Sequence, residues 1–335
     1  MTTEAKIQIT STELGTLWMS YQTISSGIII FDLLKDKVID KDAQNIIASY
    51  VGERKNIISK IVNIFNNEKA VIPLAFGEQD IIREVPPLFD DIFCVMFLRQ
   101  LTKLHLGQSS VFSAMSYMKE VNDVFKLKYD ISNKYYIMAT SYLLGKGVLA
   151  RPPYVTMPKQ VEFIEDKNYM SGFNAFSEKR ALNTIEVGYI NEAIEDNIFN
   201  TQLLTGFAQV AKEDEVKKYF IEGKELCKKV ITELSGVLLQ SDIQPPSAWA
   251  GKVTDSTEAP FSDKLMMYIN SLTAITALGF TGLGTSFSMR NDLPVKLGLI
   301  SKNTFEYSKK GAKIMIKHKW MEEPPQMEDR NQLTK

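Results

Sequence analysis

The sequence predicts an all-α protein built from two tandem copies of one four-helix domain. Three observations predict it. Landmark residues recur in the same order about 172 positions apart. Each copy holds four stretches whose apolar residues fall at helical spacing. No run alternates apolar and polar residues over the length of a strand.

The repeat is read from colinear matches. Glu13-Leu14-Gly15 falls on Glu186-Val187-Gly188, and Pro73, Ala75 and Phe76 fall on Pro246, Ala248 and Trp249. Phe89 and Asp91 fall on Phe261 and Asp263, Gly107 on Gly279, Ser116 on Ser288, and Tyr135 on Tyr307. Pro152-Pro153 falls on Pro324-Pro325. A period this long indicates duplicated domains, since solenoid repeats are typically ~20–50 residues.

The first helix of copy one carries Leu14, Leu17, Trp18, Tyr21 and Ile28 on one face. The second carries Ile47, Tyr50, Ile57, Ile61 and Ile64, and its counterpart Val216, Tyr219, Leu226, Val230 and Leu234. Asp40-Lys41-Asp42 and Glu213-Asp214-Glu215 stand between first and second helices, where acids cap a helix and meet its positive end. The third helix starts after Pro86-Pro87 in copy one and after Pro260 in copy two, since proline suits a first turn. The fourth, with Leu297, Ile300, Tyr307 and Ile314, stops before Pro324-Pro325.

Connection lengths set the topology. The first two helices are joined by a few residues and should lie antiparallel. The second and third are joined by a long link, roughly residues 67 to 87 and again 240 to 260. A helix of ~25 residues is about 37 Å long. An extended link of ~20 residues reaches ~60 Å, enough to return along the bundle and start the third helix parallel to the second. Four helices with one long crossover is the ferritin-like arrangement. The expected organisation is a first bundle over 8–152, a linker over 153–182, a second bundle over 183–325 and a polar tail over 326–335. The linker carries Tyr154, Phe163, Tyr169, Phe173 and Phe176 after its prolines, so it is expected to pack on both bundles.

The chain has 335 residues, 44% of them hydrophobic and 24% charged, which is ordinary globular composition. A formal net charge of −1 offers no basic field for nucleic acid. Cys94 and Cys227 sit at unmatched positions and read as small buried hydrophobes in a reducing compartment. The segment MTTEAKIQIT has no apolar core of a secretory signal, so a cytoplasmic location is expected.

Bundles of this shape often hold two metals on a Glu from each of two helices plus Glu-x-x-His on the others. His105 and His318 have Thr102 and Met315 three residues before them, so that set is absent, and both imidazoles read as structural or surface groups. An all-carboxylate site for iron or manganese would draw on Glu13, Asp91, Glu186, Glu225 and Asp263. The plainer reading is helix-end capping for Asp91 and Asp263, and solvated or helix-terminal charge for the three Glu. Glu192-x-x-Glu195 and Glu222-x-x-Glu225 read as surface salt-bridge lattices. Gly282-Leu283-Gly284 and Gly145-Lys146-Gly147 lack the strand and spacing of a phosphate loop.

Residues 265–289 carry no charge and suit a membrane span by length. The matching stretch of copy one holds Arg99, Lys103 and His105, so the same helix tolerates water there. The expectation is a soluble helix buried on all sides, between the bundles or in a dimer, rather than a span. A cavity for a small apolar ligand beside it is the other reading.

GFAQVAK at 206–212, STEAPFSDKLMM at 256–267, the end MIKHKWMEEPPQMEDRNQL and RPPY at 151–154 resemble a bacterial family catalogued as domain of unknown function 3231. The resemblance covers nearly the whole chain. It implies duplicated ferritin-like bundles, a distant similarity to coat F spore-coat proteins and a source among endospore-forming bacteria such as the Bacillales. The resemblance further implies histidines, carried by many members of that family, late in the second helix of copy two and in the third helix shortly after the KLMM segment. The matching positions here lie near Val230 and Ile269, which implies that any metal site of other members is not intact in this chain.

The expected function is a non-catalytic structural or interaction component, associated with sporulation or the spore coat, with protein partners or self-association. The alternatives are a carboxylate-type iron or manganese protein or oxidase, and a binding protein for apolar ligands.

Overall fold

The computed structural model describes residues 7–172, 179–247 and 251–334. Phe173, Phe176, Ala248 and Trp249, named above, lie outside them. The described residues are all-α, with no strand. They form α1 (Ser11–Leu34), α2 (Lys41–Asn67), α3 (Asp91–Ala114) and α4 (Lys119–Gly145) in the first repeat. The second repeat forms α5 (Thr184–Val210), α6 (Asp214–Leu239), α7 (Asp263–Phe287) and α8 (Asp292–Lys317), and the tail holds the single turn α9 (Arg330–Leu333).

Local capping sets the starts of these helices. Thr10 caps α1 in a capping box with Glu13, and Asn183 caps α5 the same way with Glu186. Asp40 accepts from Asp42 N and Ala43 N at the start of α2, as its position predicted. Glu213 makes no such bond on α6, and Glu215 instead pairs with Lys317 and His318. Asp90 and Ser262 cap α3 and α7.

In each repeat the first two helices pair, the last two pair, and the pairs pack as α1 on α3 and α2 on α4, or α5 on α7 and α6 on α8. Asp91, at the start of α3, accepts from Ile39 N and Asp40 N in the α1–α2 turn. The third helix therefore begins at the same end as the second and runs parallel to it, and the long crossover returns the chain along the bundle. Asp263 does the same with Lys212 N and Glu213 N.

The two crossovers meet each other. Ile81 bridges Phe261, and Phe89 bridges Val253, both antiparallel. In the repeat alignment Ile81 falls on Val253 and Phe89 on Phe261, so each bridge is the image of the other under a two-fold rotation. Hydrogen bonds obey the same rule: Ile82 N to Pro260 O mirrors Thr254 N to Leu88 O, and Asp90 N to Lys252 O mirrors Ser262 N to Asp80 O. This is the isologous geometry of a symmetric dimer, held within one chain. Around it one hydrophobic cluster runs from α1–α4 into α5, α6 and α7, with Phe93 stacked on Phe199 at 5.2 Å. A second cluster around Ile194, Leu234 and Leu297 fills the far end of the second bundle.

Three expectations change. First, α7 is buried mainly along its first half, with Thr281 and Gly284 the buried positions beyond it. Ile275, Leu283 and Phe287 are about half exposed. Among the described residues it is the one helix long and apolar enough to cross a membrane. The more enclosed helix is its image α3, in which Arg99, Lys103 and His105 are all buried rather than wetted. The charges of Arg99 and Lys103 are absorbed by acids on α5, and burial holds His105 well below its ordinary value, which local pattern does not display.

Second, Glu192 and Glu195 do not form a surface lattice. They face Arg99 and Lys103 across the junction of the repeats, with Arg99 Nη1 2.6 Å from Glu195 and Lys103 2.8 Å from Asp196. Glu222 and Glu225 do stay outside, bonded to Lys310 and Lys228.

Third, the linker is not packed along its length. Residues 151–168 are exposed throughout, with Tyr154 and Phe163 about 85% accessible. Contact with the second bundle is made by residues at its end. Arg180 Nε donates to Tyr169 O and its guanidinium covers the Tyr169 ring, while Asn291 N donates to Met170 O. Aromatic content alone does not bury a segment whose prolines hold it extended. Brief trypsin treatment is expected to nick the chain after Lys159. The two fragments should still co-elute as one particle on size exclusion, because the crossovers and the α3–α5 ion pairs join them. Separation of the fragments would show that the linker carries the association.

Candidate functional site

The five nominated acids can now be placed. One oxygen of Glu13 accepts from Thr10 N and Thr10 Oγ, and the other from Tyr117 N at 2.7 Å and Met118 N at 2.6 Å. Glu186 repeats this with Asn183 N, Met289 N and Arg290 N, and adds a bidentate pair with Arg180 at 2.7 and 2.8 Å. Each glutamate starts the first helix of its repeat and clamps the turn between the last two. Asp91 and Asp263 clamp the opposite turn, as described. These four carboxylates thus close both ends of both bundles. Burial raises Glu186, but Arg180 and the backbone donors outweigh it and hold the carboxyl at about 2. Burial likewise opposes the backbone donors at Glu13, which end below the ordinary value. Glu225 stands exposed on α6, 2.9 Å from Lys228. Among the described residues no three acids, histidines or cysteines come together as a metal group.

The middle of the first bundle holds a different set. Ser20 on α1, Arg54 on α2, His105 on α3, and Lys128 and Ser132 on α4 are each 0% exposed. Arg54 Nη1 reaches Ser132 Oγ at 3.4 Å, and Nη2 faces His105 Nε2 at 3.3 Å. That contact makes Nε2 the acceptor and leaves the proton on Nδ1. Lys128 Nζ donates to Ser20 Oγ at 3.2 Å and to Gln108 Oε1 at 3.1 Å. The Tyr50 and Phe112 rings lie against the two cations, 5.2 and 5.4 Å away. Burial, and then the charge of Arg54, hold both His105 and Lys128 well below their ordinary values.

The second bundle has none of this. In register with Tyr50 on Tyr219 and Tyr135 on Tyr307, the matching positions are Ala193, Gly223, Ala277, Ile300 and Thr304. Its centre is neutral: Tyr219 and Tyr307 stack at 4.2 Å, and Asn270 Nδ2 donates to Tyr307 Oη. A Cβ at Gly223 would stand 2.2 Å from the Tyr307 hydroxyl, so that side chain fills the space given to Arg54 in the other repeat.

A cavity of about 130 Å³ opens beside α7, lined by Phe76, Met267, Tyr268, Met315, Trp320 and Met321. It lies where the two-fold image of the α3–α5 ion cluster would be. It is well below the ~300 Å³ of ordinary ligand pockets. At its rim Glu322 accepts from Leu74 N and Ala75 N, and holds Ala75 at a left-handed φ of 53°.

Sequence reasoning missed the buried cations, although the signal was present. Arg54 lies four residues after Tyr50 and three before Ile57, and Lys128 three after Phe125 and three before Ile131, so both interrupt buried stripes. His318, by contrast, is a helix-end group between Glu215 and the Trp320 ring.

A family model matches the chain twice, over residues 1–161 and 170–333. Among solved structures, one described as a "putative spore coat protein" from Bacillus halodurans is similar at 16% identity and a TM-score of 0.41. The similarity covers 45% of this chain and 98% of that one. No curated protein matches. With both repeats matched, the chain belongs to the family described as Protein of unknown function (DUF3231).

Proposed function

We propose that the protein is a non-catalytic structural or interaction component, two ferritin-like bundles fused in a two-fold arrangement and placed in the spore or its coat. One observation carries the first part. The positions where a bundle of this connectivity would gather carboxylates hold Arg54, His105 and Lys128 in one repeat and small or apolar residues in the other. The acids that remain bind backbone N–H groups at the bundle ends. Cations repel a metal ion, and a carboxylate already bonded to several N–H groups has few lone pairs left for one. The half-exposed apolar side chains Ile275, Leu283 and Phe287 on α7, with Val295 and Leu299 on α8, support an interaction role. The spore setting rests on the family resemblance.

Protein purified without chelators and then exposed to iron and manganese is expected to hold no stoichiometric metal by mass spectrometry. About two metals per chain, the loading of a di-metal bundle, would overturn the non-catalytic reading. For the setting, antibody detection in fractionated spores should place the chain in the coat extract. Its absence there, with spore composition and resistance unchanged on deletion of the gene, would remove the spore part.

A further inference from the structure

Outside the first bundle's centre, the buried charges have partners. Arg99 has Glu195, Lys103 has Asp196, Arg290 has Asp292, and Glu13, Glu186 and Asp263 have backbone N–H groups. Among the described residues, Arg54, His105 and Lys128 are the buried bases with no carboxylate beside them. Lys128 and His105 can give up protons. Arg54 cannot, because a guanidinium stays charged throughout the accessible pH range.

The hydrogen bonding is as incomplete as the charge. A guanidinium carries five N–H donors. Arg54 directs two of its nitrogens at Ser132 and His105, at 3.4 and 3.3 Å, and its Nε has no partner. His105 Nδ1 and Tyr50 Oη are also buried without partners. With Nε2 accepting from Arg54, Nδ1 is a donor too. Three orphan donors and a permanent positive charge lie buried within one four-helix bundle. A buried unpaired charge is among the costliest features a fold can carry, and it persists where something of opposite sign completes it.

We propose that the centre of the first bundle is a binding site for a small inorganic or carboxylate anion, held by Arg54 with Lys128, His105 and Tyr50. The ligand is recognised by negative charge and by accepting hydrogen bonds without donating any. Its size is limited by the packed aromatic walls of Tyr50 and Phe112. Access runs past Gln108, the partly exposed residue that touches Lys128. The second repeat, with Ala193, Gly223, Ala277, Ile300 and Thr304 in these positions, has no such site, so binding should be one per chain.

The test uses the full-length protein at fixed ionic strength. Sodium gluconate, too large for the site, is replaced stepwise by chloride, bromide, formate or phosphate, and Tm is followed. A saturating rise of a few degrees with at least one small anion is expected, because a ligand bound only by the native state raises its stability with concentration. Bromide against phosphate separates a halide site from an oxyanion site. Arg54→Met should abolish the rise. If that variant fails to fold, Lys128→Met is read instead, and should raise the half-saturating concentration about tenfold, as losing one charge-assisted hydrogen bond implies. Crystals soaked in the effective anion, or in bromide as its anomalous analogue, should show density beside Arg54 and none at Gly223. Equal Tm in every anion with no density beside Arg54 overturns the proposal. So does a rise that survives unchanged in both variants, which would locate the effect on the surface.

Discussion

Lys103→Met is expected to cost the protein about 3–5 kcal/mol of stability, the range for breaking a buried ion pair from one side. Lys103 is 9% exposed and sits among Glu192, Asp196 at 2.8 Å and Glu195 at 4.0 Å. Arg99 alone would then face the buried Asp196 and the partly buried Glu192 and Glu195. Asp196 feels the imbalance already. Burial, and then Glu192 and Glu195, push it up to about 6 against the pull of Lys103. Its folded value lies above its unfolded one, so this group's contribution is most favourable at low pH and declines as pH rises through 6. The two-fold supplies a rescue. At the image positions, Arg99, Lys103, Glu192, Glu195 and Asp196 are replaced by Ser271, Ile275, Met19, Gln22 and Thr23. Copying those five residues onto α3 and α5 should recover most of the loss, because exchanging a whole buried ion cluster for packed neutral side chains is often neutral or stabilising. Urea unfolding of the wild type, the single variant and the five-fold variant decides it. A single-variant loss below about 1 kcal/mol would mean the cluster behaves as a solvated surface pair.

What was legible in the sequence is what repeats. Colinear landmarks exposed the duplication, proline and acid punctuation located the helices, and the length of the crossover implied the parallel third helix that Asp91 and Asp263 anchor. The capping-box spacings Thr10-x-x-Glu13 and Asn183-x-x-Glu186 were also there to be read, and they place both glutamates at helix ends. What was not legible depends on groups distant in the chain. The partners of Glu13 are backbone N–H groups at Tyr117 and Met118, and those of Lys103 lie on α5, so neither leaves a mark in local periodicity. The two-fold was hidden for a related reason. Sequence aligns Ile81 with Val253, but the contact is between Ile81 and Phe261, and only the folded crossovers exchange them. Divergence carried the remaining information: the positions that differ most in chemistry between the copies, Arg54 against Gly223 and Lys103 against Ile275, are the ones with distinct tertiary surroundings.

Glu186→Gln is expected to destabilise the protein by about 2–4 kcal/mol, whereas Glu225→Gln should change it by no more than about 0.5 kcal/mol. The contrast separates the two accounts of these acids. As a turn clamp, Glu186 is fully buried, accepts from three backbone N–H groups and from Arg180, and needs its negative charge. As a metal ligand it would share its importance with Glu225, which here meets only surface lysines. The clamp also fixes a pH signature. Its carboxyl lies at about 2 in the fold against 4.5 unperturbed, a difference worth about 3 kcal/mol. A depressed folded value contributes stability that is full above the unfolded value and is lost as pH falls toward 2. Wild-type stability should therefore drop between about pH 5 and pH 2, and Glu186→Gln should flatten that limb while lowering the plateau. Running both in the presence of a chelator completes the test. A clamp keeps the same difference between wild type and variant with or without it, because its partners are N–H groups of the turn before α8. A ligand would lose the difference once the metal is gone.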